Sequence, residues 1–322
     1  MEEKIRSAPY IHVFDSTRSM MLDVCLALAP ALVWGVYVFG WRSLVIVLLS
    51  VASAVGFEAL FQILLRRKRT YTDGSAAVTG LLLALGLPVS APLWVPLLGA
   101  AFAVIVLKGA FGGIGKNFLN PALGARLFLD LVFRGTLSHF TAPFAALPLF
   151  GSAASAPGAE TVQSVLLGGA FPENLSLFDL FSGSVPGRIG EVSALLLLAG
   201  GIYLFSRRVI AWQIPAAFLA SLYALNYLFP AFGERWEFAL WQSFSGGVIL
   251  IAVFMATDPV TTPVTGTGRL IFGLGCGALT FLLSKTFLYA ESAAIAVLAM
   301  NLLAPLFDFL RMLPRFIRAR NR

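Results

Sequence analysis

The chain runs to 322 residues, of which 58% are hydrophobic and 12% charged, and its mean hydropathy of +0.86 is too apolar for an ordinary water-soluble domain of this length. Its 23 Lys and Arg against 16 Asp and Glu give a formal net charge of +7. In a soluble protein that excess raises nucleic-acid binding, but here the basic residues punctuate apolar runs and no nucleic-acid partner is expected. Cys25 and Cys276 lie inside apolar runs and His12 and His139 in polar segments, which excludes a disulfide framework, zinc-type spacing, an all-cysteine iron–sulfur site and paired histidine ligation of a haem in the bilayer, so no metal is expected.

Residues 1–19 are polar, and the apolar run over 20–40 follows with no cleavage site at a convincing distance, predicting an anchored N-terminal segment rather than a removed signal peptide. A helix needs about 20 apolar residues to cross the hydrocarbon core. Candidate spans fall at 20–40, 42–65, 76–89, 91–108, 117–134, 190–206, 209–229, 240–257, 267–285 and 290–311. The fold class expected is therefore an all-α polytopic membrane protein of about ten transmembrane helices. A five-helix unit at 20–134, an extracytoplasmic loop at 135–189, a second five-helix unit at 190–311 and a basic tail at 312–322 complete the organisation.

Five spans per half force the second half to be inverted relative to the first, the arithmetic of an inverted repeat. Each half also places an interrupted third span: 76–89 stops at Pro88, and 240–257 contains Ser245, Gly246 and Gly247. Interruptions at matched positions point to a pathway between the halves, whereas Gly and Pro alone are common in membrane helices. With the N-terminus inside, seventeen basic residues fall on the cytoplasmic side, including the run Arg66, Arg67, Lys68, Arg69, then Lys108 and the five-arginine tail. Five (Arg42, Arg134, Arg188, Arg235, Lys285) fall outside and Arg126 lies within a span. That bias predicts both termini in the cytoplasm. The tail is suited to anionic lipid or a neighbouring protein of a larger complex.

Three polar segments recur at helix ends: Tyr71-Thr72-Asp73-Gly74-Ser75, the stretch from Gly112 to Ala122 that contains Asn117 and Asn120, and Met255-Ala256-Thr257-Asp258-Pro259-Val260-Thr261-Thr262-Pro263. Glycine lets backbone approach a ligand and helix N-termini aim N–H groups at anions or ring carbonyls, although caps and turns there are also structurally ordinary. A charge in hydrocarbon costs several kcal/mol, so carboxylates within spans face a cavity or a partner. Asp23 and Glu58 are ion-path candidates on that ground, with pairing to Arg126 or a neighbouring subunit as the structural alternative. Asp258 is an ion-path candidate or a cap, and Asp308 is expected at the interface.

Ser7-Ala8-Pro9-Tyr10, Thr17-Arg18-Ser19-Met20-Met21-Leu22-Asp23-Val24, Tyr71-Thr72-Asp73-Gly74-Ser75, Lys116-Asn117-Phe118-Leu119-Asn120-Pro121-Ala122, Gly190-Glu191-Val192-Ser193 and Ala256-Thr257-Asp258-Pro259-Val260-Thr261 occur in this order. Together they resemble the RnfD family, the D-type component of the Rnf ion-translocating ferredoxin:NAD oxidoreductase, which is similar to the B-type component of the sodium-pumping NADH:quinone oxidoreductase. The resemblance runs from about residue 7 to 311 and implies a urea-transporter-like inverted repeat. It also implies an inner-membrane protein that works beside the other Rnf components (the A, B, C, E and G types), and an FMN joined through its phosphate to a threonine of the outer loop. A second, non-covalent flavin is a further expectation.

Pro157-Gly158-Ala159-Glu160-Thr161-Val162-Gln163 keeps the Gly-Ala and the threonine of the family's flavin stretch, but inserts Glu160 and lacks the following proline. The rival Ser182-Gly183-Ser184-Val185 has Val where the threonine would fall. Thr161 is thus the flavin-bearing candidate, with Arg188, Glu191, Ser193, Asn117 and Asn120 as cofactor-binding candidates. Arg188 could pair with the phosphate or a reduced flavin or anchor the interface, and Glu191 could complement its helix dipole. No residue is expected to be catalytic by itself: no NAD fingerprint or nucleophile with a base partner occurs, so NAD and ferredoxin fall to other chains. The function expected is that of a redox-linked component of a Na+ or H+ translocase. A passive channel or small-solute transporter of the same fold and a non-redox scaffold are the alternatives, and the long outer loop favours the redox reading.

Overall fold

In the computed structural model the described residues are 16–67, 70–113, 115–150, 158–173, 175–191, 193–245, 247–286 and 291–320, with side chains described as far as Phe309. Of the sequence expectations, residues 7–15, Lys68, Arg69, Pro157, Val192, Gly246 and the side chains of the basic tail lie outside them. Among the described residues every regular element is a helix, and only two isolated bridges, Pro88 to Arg188 and Thr141 to Gly158, bring extended backbone together.

The first half holds α1 (Thr17–Phe39), α2 (Trp41–Leu64), α3 (Ser75–Leu85), α4 (Trp94–Ala101) running on as a π-helical stretch Phe102–Gly109, and α5 (Pro121–Val132). The connecting segment carries the short helices α6 (Arg134–Leu137), α7 (Val162–Leu167) and α8 (Leu177–Ser182). The second half holds α9 (Ala194–Ser206), α10 (Gln213–Leu228), α11 (Arg235–Phe244), α12 (Val248–Leu250) with a π-helical stretch Ile251–Met255, α13 (Gly266–Ser284) and α14 (Ser292–Arg320). Each of the predicted apolar stretches thus contains a helix. Four described helices are long and apolar enough to cross a membrane (Thr17–Phe39, Trp41–Leu64, Gly266–Ser284 and the Ser292–Phe309 part of α14), or five if α11 and α12 form one broken span.

Local chemistry sets the boundaries. Ser16 caps α1 by accepting from the Ser19 N–H, and Gly40, at φ 76°, reverses the chain between two long helices in a single residue. Pro121 sits at the first position of α5, where its missing N–H costs nothing, behind Asn120 as N-cap. In the second half α10 and α13 approach closely through Gly273 and Gly277. A Cβ at Gly273 would lie 2.7 Å from the Ile214 carbonyl, and one at Gly277 would lie 2.5 Å from that of Phe218. Small residues four apart are the usual means of close helix approach in lipid.

The centre is built from broken helices. Every residue of α3 except the half-buried Ala77 is buried, the pattern of a helix enclosed on every side, and it stops at Gly86. The chain continues through turns with a single bridge residue, Pro88, and carbonyls at this end are taken up by the segment that leads into the second half: Ile189 N–H donates to Leu87 O at 3.0 Å and Gly190 N–H to Leu85 O at 2.8 Å. Non-helical backbone at this depth is tolerated because protein satisfies it. Arg42, expected in an outer loop, is instead buried at 1% exposure, donating to Val89 O at 2.9 Å and to Ala91 O and Pro148 O at 3.0 Å. Five donors on one planar group suit Arg to this role. The connecting segment has its own small apolar cluster, in which Val162, Leu166, Leu180 and Val185 pack on Trp241 of α11.

Two candidate cofactor cavities

The first cavity, of about 230 Å³, opens between the connecting segment and the ends of the broken helices. Thr161, Arg188 and Glu191 all line it, with Arg134, Ser245 and Glu291. Three sequence-predicted residues from two separate stretches therefore converge on one site. Thr161 is half-buried and N-caps α7, its Oγ1 accepting from the Ser164 N–H at 3.2 Å.

Behind this cavity lies a buried charge quartet. Arg126 Nη2 is 2.7 Å from Glu191 Oε1, and Arg188 Nη1 is 3.0 Å from Asp130 Oδ1, all four side chains being no more than 6% exposed. Two weaker approaches, Arg126 Nε to Asp130 Oδ2 and Arg188 Nε to Glu191 Oε1, each at 3.7 Å, close the ring. Arg188 also donates to the Gly86 carbonyl at 2.6 Å, tying it to the end of α3. Its charge is thus matched by Asp130. Glu191, considered as a dipole complement, is the partner of Arg126.

Gly247, at φ +75°, lies against this group: a Cβ there would overlap the Glu191 carboxylate. Ser245 Oγ and Glu291 Oε2 are buried with no hydrogen-bond partner among the described residues and belong to residues lining the cavity. Unpaired buried polar atoms are costly, and a polar occupant would relieve them. The lining carries the carboxylates Asp130, Glu160, Glu191 and Glu291 beside Arg134 and Arg188, so its hydroxyl and arginine donors suit a polar-edged, phosphorylated group such as a flavin mononucleotide only where the carboxylates are themselves paired, as Asp130 and Glu191 are.

The second cavity, of about 250 Å³, joins all three polar segments. Ser75, Asn117, Asn120, Thr257 and Asp258 line it together with Lys108. Asn120 caps α5 by accepting from Leu123 N–H at 3.2 Å and donates through Nδ2 to the Met255 carbonyl at 3.0 Å. Asn117 is 8% exposed and its Oδ1 has no partner among the described residues, which leaves an acceptor available to a ligand N–H. Asp258 accepts from the Val260 N–H at 3.1 Å, so its turn role is realised while the residue still faces the cavity.

Asn117 and Asn120 therefore belong to a different site from Thr161, Arg188 and Glu191. Ser193 lines neither cavity: it N-caps α9, accepting from Leu196 N–H at 3.3 Å and donating to Phe181 O at 2.9 Å. A serine immediately before an apolar helix commonly satisfies helix N–H groups, and that capping role is the one Ser193 fills here.

Of the ion-path candidates, Asp23 accepts from Tyr203 Oη at 2.8 Å and lies 3.4 Å from Arg207 Nε, bridging α1 to α9. Glu58 pairs not with Arg126 but with Lys108, Oε1 to Nζ at 2.7 Å. Lys108, counted from sequence among the loop residues, is 3% exposed in the π-helical end of α4. Asp308, expected at the interface, accepts from the Val264 and Thr265 N–H groups at 2.9 and 3.1 Å. Sequence reasoning did not single out Lys108, Ser75 or Ser245 as cavity residues, nor the pairing of Asp130 with the arginines. Asp130 carried a usable signal, since it lies four residues after Arg126 on one helix face.

Apolar spanning helices around broken helices, with buried and paired charges at the breaks, define an integral membrane protein whose two halves enclose polar cavities. A family model described as the NQR2, RnfD, RnfE family matches residues 4–316, and the chain belongs to that family. It is 40% identical over 306 residues to the D component of the Na(+)-translocating ferredoxin:NAD(+) oxidoreductase complex of Acetobacterium woodii, covering 94% of this chain and 92% of that one. It is 39% identical to the D component of an ion-translocating oxidoreductase complex of Stutzerimonas stutzeri, covering 91% of this chain and 90% of that one. It is also 34% identical to the D component of the proton-translocating ferredoxin:NAD(+) oxidoreductase complex of Clostridium ljungdahlii, covering 94% and 93%.

Proposed function

We propose that the chain is the D-type membrane component of an ion-translocating ferredoxin:NAD oxidoreductase, relaying electrons coupled to Na+ or H+ movement. In this reading it has ten spans in a 5+5 inverted repeat and both termini on the cytoplasmic side of a prokaryotic inner membrane. It works within a complex that also holds the A, B, C, E and G components, while NAD and ferredoxin react elsewhere in that complex. The single observation that carries it is the convergence of Thr161, Arg188 and Glu191 on one cavity in a chain whose relatives are D-type components over nine-tenths or more of its length.

The first cavity would hold an FMN bound as a phosphoester of Thr161, and the second a non-covalent flavin. A flavin supplies reversible one- and two-electron transfer, leaving the protein to bind, orient and tune it. Thr161 Oγ1 would carry the phosphate. Arg188, held by Asp130 and the Gly86 carbonyl, would place a fixed guanidinium, neutralised by its partner, at the cavity wall. Ser245 Oγ and Glu291 Oε2 offer polar contacts that the described residues leave unused. In the second cavity Asn117 Oδ1 would accept from a ring N–H.

The test is flavin fluorescence of the protein on a denaturing gel, after expression with its flavin transferase, against Thr161→Ala. A fluorescent band in the parent that vanishes in the variant is the expected result. No band in either, with the transferase active on a control, refutes the covalent cofactor and favours a scaffold or channel.

A further inference from the structure

A third cavity, of about 340 Å³, lies beside the second, lined by Glu58, Gln62, Arg67, Thr70, Lys108 and the backbone at 109–113. Lys108 lines both, so its side chain stands in the wall between them. Its ammonium has two partners, Glu58 Oε1 at 2.7 Å and Ser75 Oγ at 2.7 Å. Ser75 Oγ in turn donates to Asp73 Oδ1 at 2.6 Å, and Asp73 is half-buried in the turn that precedes α3. The result is an unbroken row of short, charge-assisted hydrogen bonds from a residue lining the second cavity to a carboxylate that reaches solvent.

We propose that Lys108, Ser75 and Asp73 form a proton wire between the second cavity and water, with Glu58 as the carboxylate paired to Lys108. It rests on the reading of that cavity as a flavin site, since a flavin exchanges protons as it changes redox state. In the outward direction a Lys108 Nζ–H bond breaks as Ser75 Oγ gains that proton. Ser75 releases its own proton to Asp73 Oδ1, and Asp73 loses it to water. Lys108 recovers a proton from the group in the cavity that is being deprotonated. One proton has then moved from cavity to water, and no electrons change hands in the wire. Inward transfer is the same sequence reversed.

Three features separate this from a structural ion pair. A Lys–Glu pair alone does not require a hydroxyl and a second carboxylate continuing outward. Glu58 Oε2 is buried and has no partner among the described residues, so the pair is incompletely satisfied. Lys108 is carried on a π-helical stretch, a local irregularity that recurs at functional sites. The other charged groups facing Lys108 are Arg67, across the third cavity and bonded to the Gly109 carbonyl at 2.8 Å, and Asp258, across the second. Both belong in any account of its charge.

Ser75→Ala removes the hydroxyl link and leaves the Glu58–Lys108 pair intact, while Ser75→Thr restores a hydroxyl. Each variant is purified as the whole complex and assayed for non-covalent flavin content. Proton uptake after flash reduction is then followed with a pH-indicator dye, in the phase synchronous with bleaching of the non-covalent flavin. Per bound flavin, Ser75→Ala is expected to slow that phase by about a hundredfold and Ser75→Thr to restore it, and Asp73→Asn, which lines neither cavity, is expected to slow it likewise at unchanged flavin content. An unchanged uptake phase in Ser75→Ala and Asp73→Asn, with flavin present, overturns the wire. A parent complex without non-covalent flavin overturns the cofactor reading of the second cavity and the wire with it.

Discussion

Removing the Arg126 charge is the sharpest test of how the two halves are held. Arg126 is 1% exposed, and its Nη2 lies 2.7 Å from Glu191 Oε1, whose side chain is 5% exposed. Arg126→Met keeps much of the length of the side chain and strands the Glu191 carboxylate. Taking one partner from a buried pair costs about 3–5 kcal/mol, whereas replacing both partners with neutral groups is close to neutral. With an unfolding entropy of about 2.1 cal/mol/K per residue, about 0.7 kcal/mol/K for the chain, that cost lowers the melting temperature by about 4–7 °C. Arg126→Met/Glu191→Leu leaves the second pair, Arg188 with Asp130, still neutral and should recover most of the loss. A thiol-reactive dye suits the assay because Cys276 is completely buried, and a Cys25→Ala background makes it the sole reporter. Equal melting temperatures for the single and double variants would refute the energetic coupling of the pair.

Gly247→Ala should fail more severely than an ordinary Gly→Ala change, since the residue sits at φ +75° and the new Cβ would overlap the Glu191 carboxylate. The measure is yield of monodisperse protein, and a normal yield contradicts the assigned geometry. Asn120→Ala removes both the α5 cap and the bond to Met255 O, at about 1–2 kcal/mol, read in the same thermal assay. Asp179 is held below the usual carboxylate range because it accepts from the Ser176 hydroxyl at 2.7 Å and N–H at 2.8 Å. Its contribution is present above the ordinary carboxylate pKa and is lost as pH falls through its depressed value. Protection against hydrogen exchange at the start of α8, corrected for the intrinsic pH dependence of amide exchange, should therefore fall on acidification, and Ser176→Ala should weaken that dependence.

The helices were legible because long apolar runs bounded by Gly, Pro and hydroxyl residues leave the backbone few alternatives. The breaks at Pro88 and at 245–247 were legible for the same reason. Thr161, Arg188 and Glu191 could be nominated from motif and placement, and they do meet. Lys108 and Arg42 could not be placed, because chain position near a span end does not say whether a long side chain reaches outward or folds back into the protein. Arg42 turns inward to serve three carbonyls, two of them in the non-helical segment after α3, and Lys108 turns inward to meet Glu58. Those demands arise from elements distant in sequence, and no local pattern records them. Ser193 shows the opposite case, a residue whose observed bonds are the local ones of a helix cap.

The pairing pattern also bears on the solute-transporter alternative. Transport by that fold commonly rocks one repeat against the other. Here α5, from the first half, is fastened at three levels, twice to the second half, Asn120 to the Met255 carbonyl at 3.0 Å and Arg126 to Glu191 at 2.7 Å, and once to the segment leading into it, Asp130 to Arg188 at 3.0 Å. From Asn120 to Asp130 is about 15 Å of helix at 1.5 Å per residue, so the bonds run from one cavity to the other along the same rod. Rocking would have to separate two buried ion pairs, each penalised by several kcal/mol when its members are left apart. A body clamped in this way is suited to holding two cofactors at a fixed separation, which electron relay demands and alternating access does not.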